Sequence, residues 1–127
     1  MTYKTFQDVQ NNPRVRDDMK VALALGDTQV WYSSENVGNL TLTAAERFDV
    51  NNPAATHVCI AQVAGKELEW LYVVLQGENW SPNGEANNLL HSVRATHTSM
   101  SCGDVLVIDG VAYVCIPNGW EGLKMPL

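Results

Sequence analysis

The sequence predicts an α+β fold in which a small antiparallel sheet, centred on a C-terminal β-hairpin, carries two or three helices. Three observations lead there. Asp109-Gly110 separates two apolar, β-branched runs (residues 104–108 and 111–116), and a type I′ turn selects this dipeptide because both of its central residues need positive φ. Leu68, Leu71, Tyr72 and Leu75 recur at i, i+3, i+4 and i+7, the stripe of an amphipathic helix over residues 66–76 that Gly77 closes. Ser81-Pro82 supplies an N-cap and a proline at the first helical position, opening a helix over 82–93 with Ala86, Leu89, Leu90 and Val93 on one side.

The other elements follow in chain order. Residues 2–12 are a polar lead holding Phe6 and Val9, and Asn11-Asn12-Pro13 reads as a turn or helix start. Val15, Met19, Ala22 and Leu23 share one face of a helix over 14–25, with Gly26 as its stop. Val30-Trp31-Tyr32 is β-prone, whereas residues 33–39 have loop composition. Thr43-Ala44-Ala45-Glu46 matches a capping box for a short helical turn that Asn51-Asn52-Pro53 ends. Residues 57–63 form a β-branched strand that Gly65 ends. Both hairpin strands are apolar on both faces, which places the hairpin centrally, covered by helices on at least one side. One domain over 1–127 is expected, with 55–121 as its motif-bearing core and 1–54 as an N-terminal portion of weaker periodicity.

Composition narrows the functional classes. The chain has 127 residues, 46% hydrophobic and 17% charged, enough apolar material for a core without a metal or disulfide staple. Its uncharged apolar stretches, Leu71 to Leu75 among them, are far short of the roughly 18 residues a membrane span needs, so no membrane association is expected. The net charge is −6, and the eight Lys and Arg residues are scattered, with Asp17 and Asp18 among the closest of them. Nonspecific nucleic-acid binding needs clustered cations and is not expected. Cys59, Cys102 and Cys115 form no C-x-x-C pair, which argues against a disulfide framework or structural zinc and for reduced thiols, at least two of them in the core. No apolar leader precedes the domain, so a reducing cytosol is the expected compartment.

Few residues promise chemistry. His97-Thr98-Ser99-Met100-Ser101, followed by Asp104, invites a Ser-His-Asp reading, yet triad members come from separate parts of a fold and no G-x-S-x-G elbow is present. Serines that cap the turn and an aspartate that binds nearby N–H groups account for the same string. His57, His91 and His97 with Glu85 lack the i, i+4 spacing of a helical ligand pair, and the glycines occur singly rather than as a phosphate loop. No metal or cofactor is expected. Trp80 and Trp120 lie in turns, as lids over the core or as anchors at a surface.

From Trp80 onward the string runs Arg94, His97-Thr98-Ser99-Met100-Ser101-Cys102-Gly103-Asp104-Val105, Asp109-Gly110-Val111-Ala112-Tyr113-Val114 and Gly119-Trp120. Over residues 55–121 it resembles small bacteriophage and mobile-element proteins, YodL-like segments among them. It departs at Cys102, where the pattern has valine. The resemblance brings no activity or catalytic residues. It implies a phage or mobile-element origin, expression in the host bacterial cytoplasm and an accessory role.

The expected function is therefore a non-enzymatic phage accessory protein that binds and modulates a host protein, its acidic surface steering it toward a basic target. The alternative is a small-ligand binder for a nucleotide-like molecule. In that reading Trp80, Trp120 and Tyr113 stack the base and Arg94 and His97 hold phosphate, in a pocket that a homo-oligomer could complete. Hydrolysis by His97 and Asp104 ranks last. Arg94, His97, Ser99, Asp104, Trp80, Tyr113 and Trp120 are the candidate binding residues.

Overall fold

The computed structural model describes residues 3–34, 48–95 and 97–126. Five strands, β1 (Leu25–Ser33), β2 (His57–Val63), β3 (Val105–Ile108), β4 (Val111–Ile116) and β5 (Gly119–Lys124), make one antiparallel sheet in the order β2-β1-β3-β4-β5. Five helices accompany it among the described residues: α1 (Phe6–Gln10), α2 (Asp17–Leu23), α3 (Leu68–Val74), α4 (Gly77–Trp80) and α5 (Asn87–Ser92), with a 3₁₀ turn at Pro53–Ala55. The architecture is α+β, as the sequence predicts. None of these helices is long and apolar enough to cross a membrane.

The Asp109-Gly110 hairpin forms between β3 and β4, with φ of +50° and +84° at the two turn residues. β3 is the middle strand and all four of its residues are buried. On one face of the sheet Val30, Tyr32, Val63, Leu106 and Ile108 meet the helices through Phe6, Val9, Met19, Leu23, Leu71, Val74, Leu75, Trp80 and Leu90. Each such buried side chain contributes roughly 1.5–3 kcal/mol of transfer free energy. Val105, Val107, Ala112 and Val114 face the other way and are covered by Phe48, with Trp31, Val50, Ile116, Leu123 and Met125 around them.

Several expected elements shift. The helix expected over 14–25 is α2 and ends at Leu23, and Leu25 and Gly26 belong to β1. Gly26 is no helix stop: a Cβ there would lie 2.4 Å from Ala64 Cα, so glycine permits the close approach of β1 to the chain leaving β2. The polar lead folds as α1, opened by a capping box in which Thr5 Oγ1 accepts from Asp8 N–H and the Asp8 carboxylate accepts from Thr5 N–H. Gly77 begins α4 instead of merely closing α3. Residues 82–86 form successive turns, because Gly84 adopts φ +79° and Ser81 Oγ accepts Ala86 N–H, so the last helix spans only Asn87–Ser92. β5 was not expected. It pairs with β4 along its whole length, from Ile116 opposite Gly119 to Val111 opposite Lys124. The proposed helical turn at 43–46 and the loop over 35–39 lie outside the described residues.

The N-terminal portion is integral to the sheet, since β1 lies between β2 and β3. Replacing Gly26 with alanine should therefore cost about 1–3 kcal/mol through overpacking. Urea unfolding measures this, and an unchanged midpoint would show that β1 and β2 can part without penalty.

Candidate functional site

The loop from His97 to Asp104 starts where α5 ends. Arg94 N–H bonds the His91 carbonyl and Ala95 N–H bonds that of Leu90, while Arg94 itself takes φ +62°. That is a Schellman cap with arginine in the position glycine usually fills, and it leaves the Arg94 side chain exposed. At the far end, Asp104 N–H closes a turn on the Ser101 carbonyl, with Gly103 at φ +97°. Gly103 N–H then bonds the Cys115 carbonyl, and Cys115 N–H bonds that of Asp104. Two residues of one strand thus oppose one of the other, a glycine bulge at the entrance to β3.

Asp104 is the centre of this loop. Its carboxylate is fully buried and has three donors: Ser33 N–H at 2.9 Å, Ser101 N–H at 2.8 Å and His97 Nε2 at 2.5 Å. A buried carboxylate without partners would cost several kcal/mol. Here backbone amides from β1 and from the loop answer it. The His97 ring lies flat on Tyr32, with centroids 4.8 Å apart and planes at 9°. Tyr32 donates its hydroxyl to the Thr98 carbonyl at 2.9 Å, and Trp80 Nε1 donates to the Leu75 and Thr98 carbonyls at 3.0 and 3.1 Å. Burial, and next the nearby Asp104 charge, push the Tyr32 phenol well above its usual value, so it stays a neutral donor.

The serines serve the backbone too. Ser99 Oγ accepts from Gly77 N–H at 2.7 Å, and Ser101 Oγ donates to the Ser99 carbonyl at 2.9 Å. His57 was considered only as a metal ligand, yet it pins the same turn from below. Its Nε2 donates to the Gly103 carbonyl at 2.6 Å, its Nδ1 pairs with Thr56 Oγ1, and Phe48 meets the ring edge-on.

His97, Ser99 and Asp104 are thus brought into one loop, whereas the other candidates scatter. Trp80 is fully buried and packs on Phe6, which removes it as a surface anchor or base-stacking platform. Tyr113 packs against the helix-side core from β4. Trp120 donates to Glu69, meets Tyr72 edge-on and lines a cleft of about 240 Å³ with Cys102, Cys115 and Pro117. His97 borders a different cleft, lined by Asn87, Leu90, His91, Ala95 and Thr98. Within one chain Trp80, Trp120 and His97 do not converge on one pocket, because Trp80 is core and Trp120 and His97 line different clefts. Only Cys115 of the three thiols is buried; Cys102 is exposed and Cys59 partly so, which corrects the expectation of two core cysteines. Among the described residues no cluster of three His, Cys, Asp or Glu side chains could hold a metal.

Glu85, a rejected metal ligand, has a tie of its own. It accepts from the Asn12 amide and Asn83 N–H and lies 3.7 Å from Arg14, joining the segment after α1 to the turns before α5. Burial raises its pKa, but the hydrogen bonds and Arg14 outweigh burial and hold it below its ordinary 4.5.

The chain matches no family model, no curated protein sequence and no solved structure.

Two measurements follow from this geometry. Asp104→Ala removes the acceptor of the Ser33 and Ser101 amides and of His97, and should cost about 2–5 kcal/mol in urea unfolding; a loss within the error of that measurement would show that the carboxylate is dispensable. A depressed folded-state pKa at Glu85 contributes stability that is fully present above 4.5 and drains away as pH falls through the folded value. Glu85→Gln should flatten that acid limb of the stability curve, and parallel curves for the two proteins would contradict the assignment.

Proposed function

We propose that this protein is a non-enzymatic accessory protein of phage or mobile-element origin that docks on a host protein in the bacterial cytoplasm. The observation that carries the reading is an apolar groove of about 340 Å³ between α2 and the start of α3. Val21 and Trp70 line it, with Ala22, Ala64 and Gly65. Val21 is 72% exposed, and Leu25, beside the end of α2, is 76% exposed. Val21 lies in the concave site itself and Leu25 close to it in sequence, and exposed apolar patches mark contact surfaces more often than isolated side chains do.

The rim supports the same reading. Asp18 and Glu67 border the groove, and its cation, Lys66, is held by Asp109 at 2.9 Å. Lys66 is also raised from its ordinary pKa by that bond, by the Asp109 charge and by nearby Asp27. An apolar anchor flanked by lysine or arginine on a partner would find both its apolar and its charged complement here, and the chain's net charge of −6 would hasten the encounter. The consumption of His97, Ser99 and Asp104 in the loop's own bonding favours docking over bond-breaking.

Capture from bacterial lysate at low salt tests the proposal, because surface charge is screened beyond about 10 Å at 0.1 M. Wild-type chain should retain a specific partner. Val21→Asp combined with Leu25→Asp should weaken that capture by tenfold or more, as expected when about 1.4 kcal/mol of anchor energy is lost. Both positions are exposed, so folding should survive. Equal capture by the double variant, or no specific partner for wild type, would overturn the reading.

A further inference from the structure

The cleft under Trp120 holds two thiols that the docking reading leaves unused. Cys102 is the exposed residue before Gly103, and Cys115 is buried in β4. Both line the cleft, with Glu69, Tyr72 and Trp120 around them. The backbone holds them side by side: Gly103 N–H, one peptide unit from the Cys102 Cα, bonds the Cys115 carbonyl at 2.9 Å. A disulfide needs Cα atoms about 4.4–6.8 Å apart, and this bond sets the backbone of Cys102 next to that of Cys115.

We propose that Cys102 and Cys115 are an oxidant-responsive thiol pair that closes to an intramolecular disulfide with glutathione disulfide, stapling the glycine bulge to β4. Cys102 acts first because it is the exposed residue of the two. Its thiolate attacks one sulfur of glutathione disulfide, forming a mixed disulfide and expelling one glutathione thiolate. The Cys115 thiolate then attacks the Cys102 sulfur, forming the internal bond and expelling the second glutathione. Two protein thiols are oxidised, one glutathione disulfide is reduced to two thiols, and no other reactant is needed.

The two steps have different pH behaviour. Burial, and secondarily the neighbouring Cys102 sulfur, push the Cys115 thiol up to about 12. Burial persists once Cys102 is capped, so little Cys115 thiolate exists near neutrality and the closing step is the slower one. Its rate should rise about tenfold per pH unit below the thiol's pKa. Cys59, partly exposed on β2 with its sulfur donating to the Ala61 carbonyl, has no thiol neighbour in that cleft and serves as an internal control.

The test is alkylation and mass spectrometry of the full chain, under non-reducing conditions, after incubation with glutathione disulfide at several pH values. The expected product is monomeric, lighter by two hydrogens, and yields a Cys102–Cys115 cross-linked peptide while Cys59 remains alkylatable. Cys115→Ala should instead accumulate glutathione on Cys102, and Cys102→Ser should leave Cys115 unmodified. A wild-type chain that stops at the Cys102 adduct even at high pH, or that forms only intermolecular bonds, would overturn the proposal. So would a closing rate that does not change with pH.

Discussion

A carboxylate in the interior must collect donors, and Asp104 dictates much of this molecule by doing so. Its three donors come from the end of β1, from the turn ahead of β3 and from the His97 ring. Satisfying them draws the chain leaving α5 back against β1, so that His97 lies on Tyr32 and the Tyr32 hydroxyl reaches the Thr98 carbonyl. His57 holds the same turn through Gly103 from the neighbouring strand. The middle of the sheet and the helix layer are thereby joined by polar contacts as well as by apolar packing.

That arrangement engages the loop's polar groups in bonds within the fold. Imidazole, hydroxyl and carboxylate are all present, and His97 meets the Asp104 carboxylate while Ser99 and Ser101 bond the backbone. Two concave surfaces accompany this loop: an apolar, acid-rimmed groove beside α2, and a cleft where Cys102 of the loop and Cys115 adjoin Trp120. The groove and the cleft are separate surfaces, and only the cleft adjoins Asp104, through the Gly103 and Cys115 backbone bonds.

The parts legible in the sequence were those set by local rules. Asp109-Gly110 announced its turn because two successive positive φ values are a requirement few dipeptides meet, and the Leu68-Leu71-Leu75 stripe announced α3. β5 was hidden because Glu121, Gly122 and Lys124 lie on a largely exposed edge strand, where no buried face forces alternation. The helix expected from Pro82 failed on Gly84, whose positive φ is set by the turn and not by any signal in the flanking residues. Trp80 looked like a turn residue and proved to be core, since its indole N–H finds two carbonyls to satisfy it inside. The pairing of His97 with Asp104 was discounted for nearness in sequence, and it arises because the intervening turn doubles the chain back. α1 could have been found from Thr5 and Asp8, a capping box with aspartate in place of glutamate.

If the buried carboxylate is the clasp between β1 and the loop, the amides that bind it cannot open on their own. Native-state hydrogen exchange across a denaturant series reads this directly at Ser33 and Ser101. Both amides should exchange through the same global unfolding as the amides of β3. Rapid exchange at Ser33 and Ser101 by a local opening insensitive to denaturant, while β3 stays protected, would contradict it.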